Sequence, residues 1–373
     1  MKLLFFAERV NLDLFKGDSI LMKRLTEGLV DEGNEVHVIC HGLSRKVKIH
    51  SPLFFGFYKK AFTFPLTSFF SFRKFVSLIE KNNFDAVVIK MPVCSGTGFW
   101  FNLKPFLESS YYSKIAFELK KRKIPFFVFV EGITEKESCV SSFMGCSKQS
   151  QMNLMQKSNG IICLSELQNK LLQFSGLKKP MSFFPSPIDT KKFVPEKNVS
   201  GLNLSEKKIN LIYLSSSCDL EDFFVFFDFI KANNCVLYIV FPLNLVPEKF
   251  AKEIKKQNLE KKIIFLKGIF NHSKIAPSFD AGLYLKKFGF PFADASYIMK
   301  ISLYLSCGLP VLVPEMTGPL IQAGAAAINF EKTKKISKKQ LNNLSFNARK
   351  IAIENLDLEK NIQKINKFIA KNI

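Results

Sequence analysis

With 373 residues the chain is long enough for two domains of ordinary size, and 47% hydrophobic against 23% charged residues excludes a disordered polypeptide. The formal charge of +22 rests almost wholly on lysine, since arginine stands only at Arg9, Arg24, Arg45, Arg73, Arg122 and Arg349. Nucleic-acid reading favours the arginine fork, so a diffuse field and no nucleic-acid partner are expected, and a general Lys and Phe bias accounts for much of the excess.

Leu3–Ala7 is a short continuous apolar run, the pattern of a strand buried on both faces. Gly17-Asp18-Ser19 opens a helix through about Glu32, with Asp18 or Ser19 as N-cap and Ile20, Leu21, Leu25 and Leu29 as its inward stripe. Gly33-Asn34 ends that helix before a second strand at Val36–Cys40. This β-α-β unit implies a parallel sheet with helices on both faces. Gly17 stands where backbone can approach a ligand closely, although no G-x-G-x-x-G dinucleotide fingerprint is present.

Residues 51–80 interleave phenylalanines with basic residues and few acids. They suit an anionic bilayer surface, aromatics in the interface and lysines toward head groups; core packing around the third strand and nucleic-acid stacking are the other readings. Ala86–Lys90 and Pro125–Val130 continue the strands. Glu131 follows at the carboxyl end of a parallel strand, beside the usual ligand crevice. Two readings stand: a base or holder of a ligand's hydroxyls, and a loop carboxylate in water.

Gly160–Glu166 reads GIICLSE and Phe183–Pro195 reads FFPSPIDTKKFVP; the polar stretch Glu196–Lys208 is linker-like and puts a domain boundary near Pro195. Strands at Asn210–Ser215, Val236–Phe241, Ile263–Leu266 and Ala281–Leu285 begin a second sheet. Phe292–Thr317 reads FADASYIMKISLYLSCGLPVLVPEMT. It contains an amphipathic segment from Ser296 to Cys307, a break at Gly308 and Pro310, and a strand at Val311–Val313. Ile298, Ile301, Tyr304 and Leu305 form the buried face, and Lys300 and Ser302 fall near the helix start or on its open side. Orphan N–H groups and the positive dipole end make such a start a phosphate site, to which Lys300 adds a full charge; a solvated lysine on an ordinary helix is the plainer reading.

The eight cysteines lie scattered without a C-x-x-C pair, and His37, His41, His50 and His272 lack ligand spacing. Reduced core thiols, no metal and no cofactor are expected. No run is long enough to span a bilayer, and Glu8 and Arg9 interrupt the N-terminal apolar stretch, so a cytoplasmic location is expected. Through residues 51–80 it becomes peripheral on the inner face of the plasma membrane.

The segment K-I-S-L-Y-L-S-C-G-L-P-V resembles the donor-side signature K-x-x-x-Y-x-x-x-G-x-P-V of nucleotide-sugar glycosyltransferases with the GT-B fold, of the retaining group-1 kind. GIICLSE and FFPSPIDTKKFVP resemble the end of the first domain of that family, V-S-E followed by P-N-G-V-D-x-x-x-F-x-P, with Ser186-Pro187 in place of Asn-Gly. Ala323–Phe330 is similar to the closing glycine and strand of the donor domain, and Asn361–Ala370 to the terminal helix. Two departures stand out. The strand Asn210–Ser215 ends in Ser215, Ser216 and Ser217 where relatives carry glycine and a basic residue, so hydroxyls and backbone N–H groups, or Lys286 and Lys287 from a later loop, are expected to take over the diphosphate contacts. The E-x-x-x-x-x-x-x-E pair is replaced by Ala295 and Leu303, with Asp294 the nearest carboxylate. A branch with K-x-S-x-Y-L-x-x-G-x-P-V, which includes bacterial glucosyl- and galactofuranosyltransferases, is the most similar pattern.

The resemblance implies an α/β protein of two Rossmann-like doubly wound domains facing across a cleft. These are an acceptor domain over 1–195, a donor domain over 196–345, and a terminal helix over 346–373 returning to the first. It implies transfer of a sugar from a nucleotide-diphosphate sugar to a glycan or lipid-linked acceptor in a growing cell-surface glycan, without metal and with retention. Lys300, Glu131 and Asp294 are the catalytic candidates. Gly17, Ser215, Ser216, Lys286, Lys287, Ser302 and Tyr304 are the donor-binding candidates. The alternatives are a GT-B sugar-nucleotide 2-epimerase and a non-catalytic membrane-associated scaffold subunit of the same fold.

Overall fold

The computed structural model describes residues 1–12, 17–41, 44–50, 64–91, 111–133, 148–196, 202, 204–214, 220–241, 248–267, 271–286 and 291–373. Contacts divide the chain into two units, Met1–Phe184 with Glu359–Ile373, and Pro185–Leu358.

The first unit runs β1 (Lys2–Asn11), α1 (Gly17–Asp31), β2 (Glu35–His41), β3 (Lys48–Ile49), α2 (Phe64–Lys81), β4 (Ala86–Lys90), α3 (Tyr111–Lys121), β5 (Phe126–Phe129), α4 (Lys148–Lys157), β6 (Gly160–Cys163), α5 (Glu166–Phe174) and β7 (Met181–Phe183). Its sheet has the order β3-β2-β1-β4-β5-β6-β7, all parallel. Leu3 to Phe6 are at most 1% exposed. Burial on both faces is why β1 is an unbroken apolar run and not an alternating one. Gly33 adopts φ 80, the left-handed position that ends α1. The chain order reverses between β1 and β4, the switch point beside which ligands sit in open sheets of this kind.

The second unit runs β8 (Ile209–Leu214), α6 (Leu220–Ala232), β9 (Cys235–Phe241), α7 (Glu248–Lys256), β10 (Ile263–Lys267), α8 (His272–Ile275), β11 (Ala281–Leu283), α9 (Pro291–Asp294), α10 (Met299–Ser306), β12 (Val311–Val313), α11 (Thr317–Ala323), β13 (Ala327–Asn329) and α12 (Lys338–Asn355). Its parallel order is β10-β9-β8-β11-β12-β13, again reversing at the first strand of the unit. The last helix, α13 (Leu358–Lys371), belongs to the first unit from Glu359 onward.

The divisions fall at Pro185 and Glu359, not at the expected 196 and 346, for identifiable reasons. The Ile188 amide donates to the Leu356 carbonyl at 2.8 Å, and the Leu358 amide donates to the Ile188 carbonyl at 2.9 Å, so residues 185–195 close onto the second unit. The expected terminal helix is two helices. In α12, Leu341, Ala348 and Ala352 are fully buried in the second unit. In α13, Ile362 lies against Gly28 and the Phe368 ring meets Phe127 edge-on at 5.8 Å, inside the first unit.

Candidate functional site

The stretch around Lys300 folds at the carboxyl edge of the second sheet. Gly308 takes φ 73 to turn the chain out of α10, and Pro310 leads into β12. The helix itself is shorter than expected: residues 296–298 stay outside it, and Ile298 occupies the N-cap without a side-chain cap.

Lys300 is in the first turn of α10, partly exposed, with its Nζ 5.0 Å from the centroid of the Tyr213 ring on β8. This is cation–π range. The Lys300 charge also reaches His272 at the head of α8, whose pKa is lowered first by desolvation and then by this neighbour, although the residue keeps solvent contact. Lys300, His272 and the end of β8 therefore meet on one edge, where cationic and first-turn amide groups can receive an anion.

Ser302 and Tyr304 are turned into the interior of the second unit. Both are 0% exposed. The Ser302 hydroxyl accepts from Gln322 Nε2 at 2.9 Å, because its side of the helix faces α11 and not solvent. The Tyr304 hydroxyl accepts from the Leu214 amide at 2.9 Å, and its ring fills the space beside Gly282, where an added Cβ would lie 2.3 Å from it. Their part is to anchor α10 to α11 and to the exit of β8. The burial of Tyr304 also pushes its phenol far above the ordinary range, so it stays neutral.

Asp294 ends α9, and residues 294–296 rest on Gly318 of α11. Lys286 lies just beyond β11 and is exposed. Ser215, Ser216 and Lys287 lie outside the described residues. In the first unit, Gly17 is the first residue of α1. Glu131 follows β5 and pairs with Lys90 at the end of the adjacent β4, Oε2 to Nζ 2.9 Å, with side chains 17% and 13% exposed. The reading of Glu131 as a loop carboxylate in water is therefore corrected: a lysine holds it as a mostly buried ion pair. Lys90 was legible as an opposite charge at the end of the preceding strand. Gln322 had no signal at all. Of residues 51–80, 51–63 lie outside the described residues and the remainder begins α2.

Among the described residues no group of three or more His, Cys, Asp or Glu side chains is placed to hold a metal ion, and no helix is long and apolar enough to cross a membrane.

No family model matches the sequence, and no curated protein does. Two parallel doubly wound sheets in this order give the chain the fold of the GT-B glycosyltransferases. A glycosyltransferase from Rickettsia africae ESF-5 is similar at TM-score 0.69 and 12% identity, over 100% of this chain and 98% of that one. Anabaena Alr3699/HepE, solved in complex with UDP and glucose, is similar at TM-score 0.65 and 15% identity over 100% of both chains. WaaG, a glycosyltransferase involved in lipopolysaccharide biosynthesis, is similar at TM-score 0.64 and 14% identity over 98% of this chain and 99% of that one. At such identities the likeness carries the fold.

Proposed function

We propose that the protein is a glycosyltransferase that moves a sugar from a nucleoside-diphosphate sugar to an acceptor hydroxyl in a growing cell-surface glycan, with retention. The observation that carries this reading is Lys300, held over Tyr213 at the start of α10 on the carboxyl edge of the second sheet. In the reaction the anomeric carbon–oxygen bond to the diphosphate breaks, the leaving group takes both electrons, and the acceptor oxygen forms the new bond and loses its proton. Charge builds on the diphosphate, and an ammonium beside a helix start stabilises charge that develops there. The UDP and glucose bound by the Anabaena neighbour support a nucleotide-sugar donor.

In this reading Gly17, Ser215, Ser216, Lys286 and Lys287 contact donor groups, Asp294 stands near the reacting sugar, and Glu131, oriented by Lys90, holds sugar hydroxyls. The enzyme works in the cytoplasm. Residues 51–80 bring it to the anionic inner face of the membrane where lipid-linked acceptors lie.

The test is donor hydrolysis by purified protein across a panel of nucleotide sugars, without added metal. Lys300→Ala lowers turnover by about 10²–10³-fold, the loss found when one preorganised donor to a developing charge is removed. An unchanged rate in Lys300→Ala sinks the assignment of Lys300, and epimerised free nucleotide sugar replaces transfer with epimerisation. Sedimentation with anionic vesicles, weakened by salt, checks the membrane part; vesicle binding that is indifferent to salt and to removal of the aromatics in 51–80 rejects it.

A further inference from the structure

Helix α10 begins without the usual local help. Its N-cap is Ile298, which has no hydroxyl or carboxylate, and its third position is Ile301, so the reciprocal bond of a capping box is missing as well. Gln322 on α11 supplies that bond from another helix. Its Oε1 accepts from the Ile298 amide at 2.6 Å, and its Nε2 donates to the Ile298 carbonyl and to Ser302 Oγ, both at 2.9 Å. The Ile298 N–H is a donor, so only this orientation of the side-chain amide satisfies all three contacts. Gln322 is 2% exposed and Ser302 0%, so water cannot replace these bonds cheaply. Gly318 holds α11 close enough for the reach: a Cβ there would stand 2.5 Å from the Asp294 carbonyl oxygen and 2.6 Å from that of Ser296.

We propose that Gln322 is a positioning residue for Lys300, fixing where the first turn of α10 starts and thereby where the ammonium stands over Tyr213. This rests on the function proposed above for Lys300, but the placement itself can be read without any substrate. His272 feels the Lys300 charge, so its titration reports where that charge is.

The experiment follows the His272 ring by NMR against pH in the wild type, Gln322→Met, Lys300→Ala and the double variant, with His272→Asn to assign the signal. Lys300→Ala raises the His272 pKa, since a nearby like charge is gone. Gln322→Met produces a rise in the same direction and adds nothing once Lys300 is alanine. Ser302→Ala, which keeps two of the three contacts, gives a smaller rise and guards against misfolding of the methionine variant. His272 unmoved in Gln322→Met, or moved equally in both Lys300 backgrounds, overturns the proposal. So does a titration that Lys300→Ala leaves unchanged. Donor hydrolysis is measured in parallel: Gln322→Met lowers kcat by about 10-fold or more with little change in KM, as expected when a catalytic group is misplaced by a fraction of an ångström. A shift in His272 without any hydrolysis in the wild type keeps the positioning role and removes the glycosyltransferase reading.

Discussion

Arg349 on α12 ties the 190–193 segment and the end of α10 to its own helix. Its Nη1 donates to the carbonyls of Phe193 at 2.8 Å and Ser306 at 2.7 Å, and its Nη2 to that of Thr190 at 2.9 Å. In Arg349→Met the methionine covers the apolar space of the stem while all the donors vanish. The Phe193 carbonyl keeps a donor in Ser306 Oγ at 2.7 Å, so the loss falls on Thr190 and Ser306. Two charge-assisted bonds at a half-buried position, at about 1.5 kcal/mol each, make the cost about 3 kcal/mol. For a unit of this size that is a drop in Tm of about 6–12 °C by calorimetry. Hydrogen exchange should quicken at Ile188 and Phe193, whose amides close the same segment. Arg349→Lys recovers less than half, because a point ammonium cannot serve two directions as a planar fork does. A Tm change below about 2 °C in Arg349→Met, or full recovery in Arg349→Lys, would refute the reasoning.

Tyr304→Phe strands the buried Leu214 amide and costs about 1–3 kcal/mol in denaturant unfolding, with unchanged packing beside Gly282; stability equal to wild type would show that the amide finds another acceptor. A pH effect comes from the first unit, where His37 Nδ1 and His50 Nε2 lie 2.9 Å apart and His37 Nε2 lies 2.9 Å from Glu35 Oε1. The His37 bond, then Lys48, holds Glu35 down at about 2, so His37 donates to Glu35 and accepts from His50. Desolvation, then His37, Lys74 and Lys48, lowers His50 to about 4. The unfolded chain takes this proton near 6.5 and the folded one near 4, so stability falls as pH drops through that window. The loss is at most about 3 kcal/mol, and about half that at a ring still half in solvent. Glu35 acts in the same direction at lower pH. His50→Gln keeps a donor for His37 and should flatten urea stability between pH 6.5 and 4; an undiminished slope would place the effect elsewhere.

Much of the architecture was written in the chain itself. Runs buried on both faces marked the strands, Gly33 and Gly308 marked turns that need positive φ, and the 3.6-residue spacing of Ile301, Tyr304 and Leu305 marked the inward face of α10. These features depend on neighbours a few residues apart, which is the range over which a pattern can be read. Tertiary structure alone decided which way Ser302 points, that Glu131 is held by Lys90, and that Gln322 replaces the missing cap of α10. It alone decided that the terminal residues split into α12 and α13 between two units. Each of these pairs atoms from separate elements, and hydrogen bonds or ion pairs of that kind form only once both elements have been placed by the burial of their apolar faces.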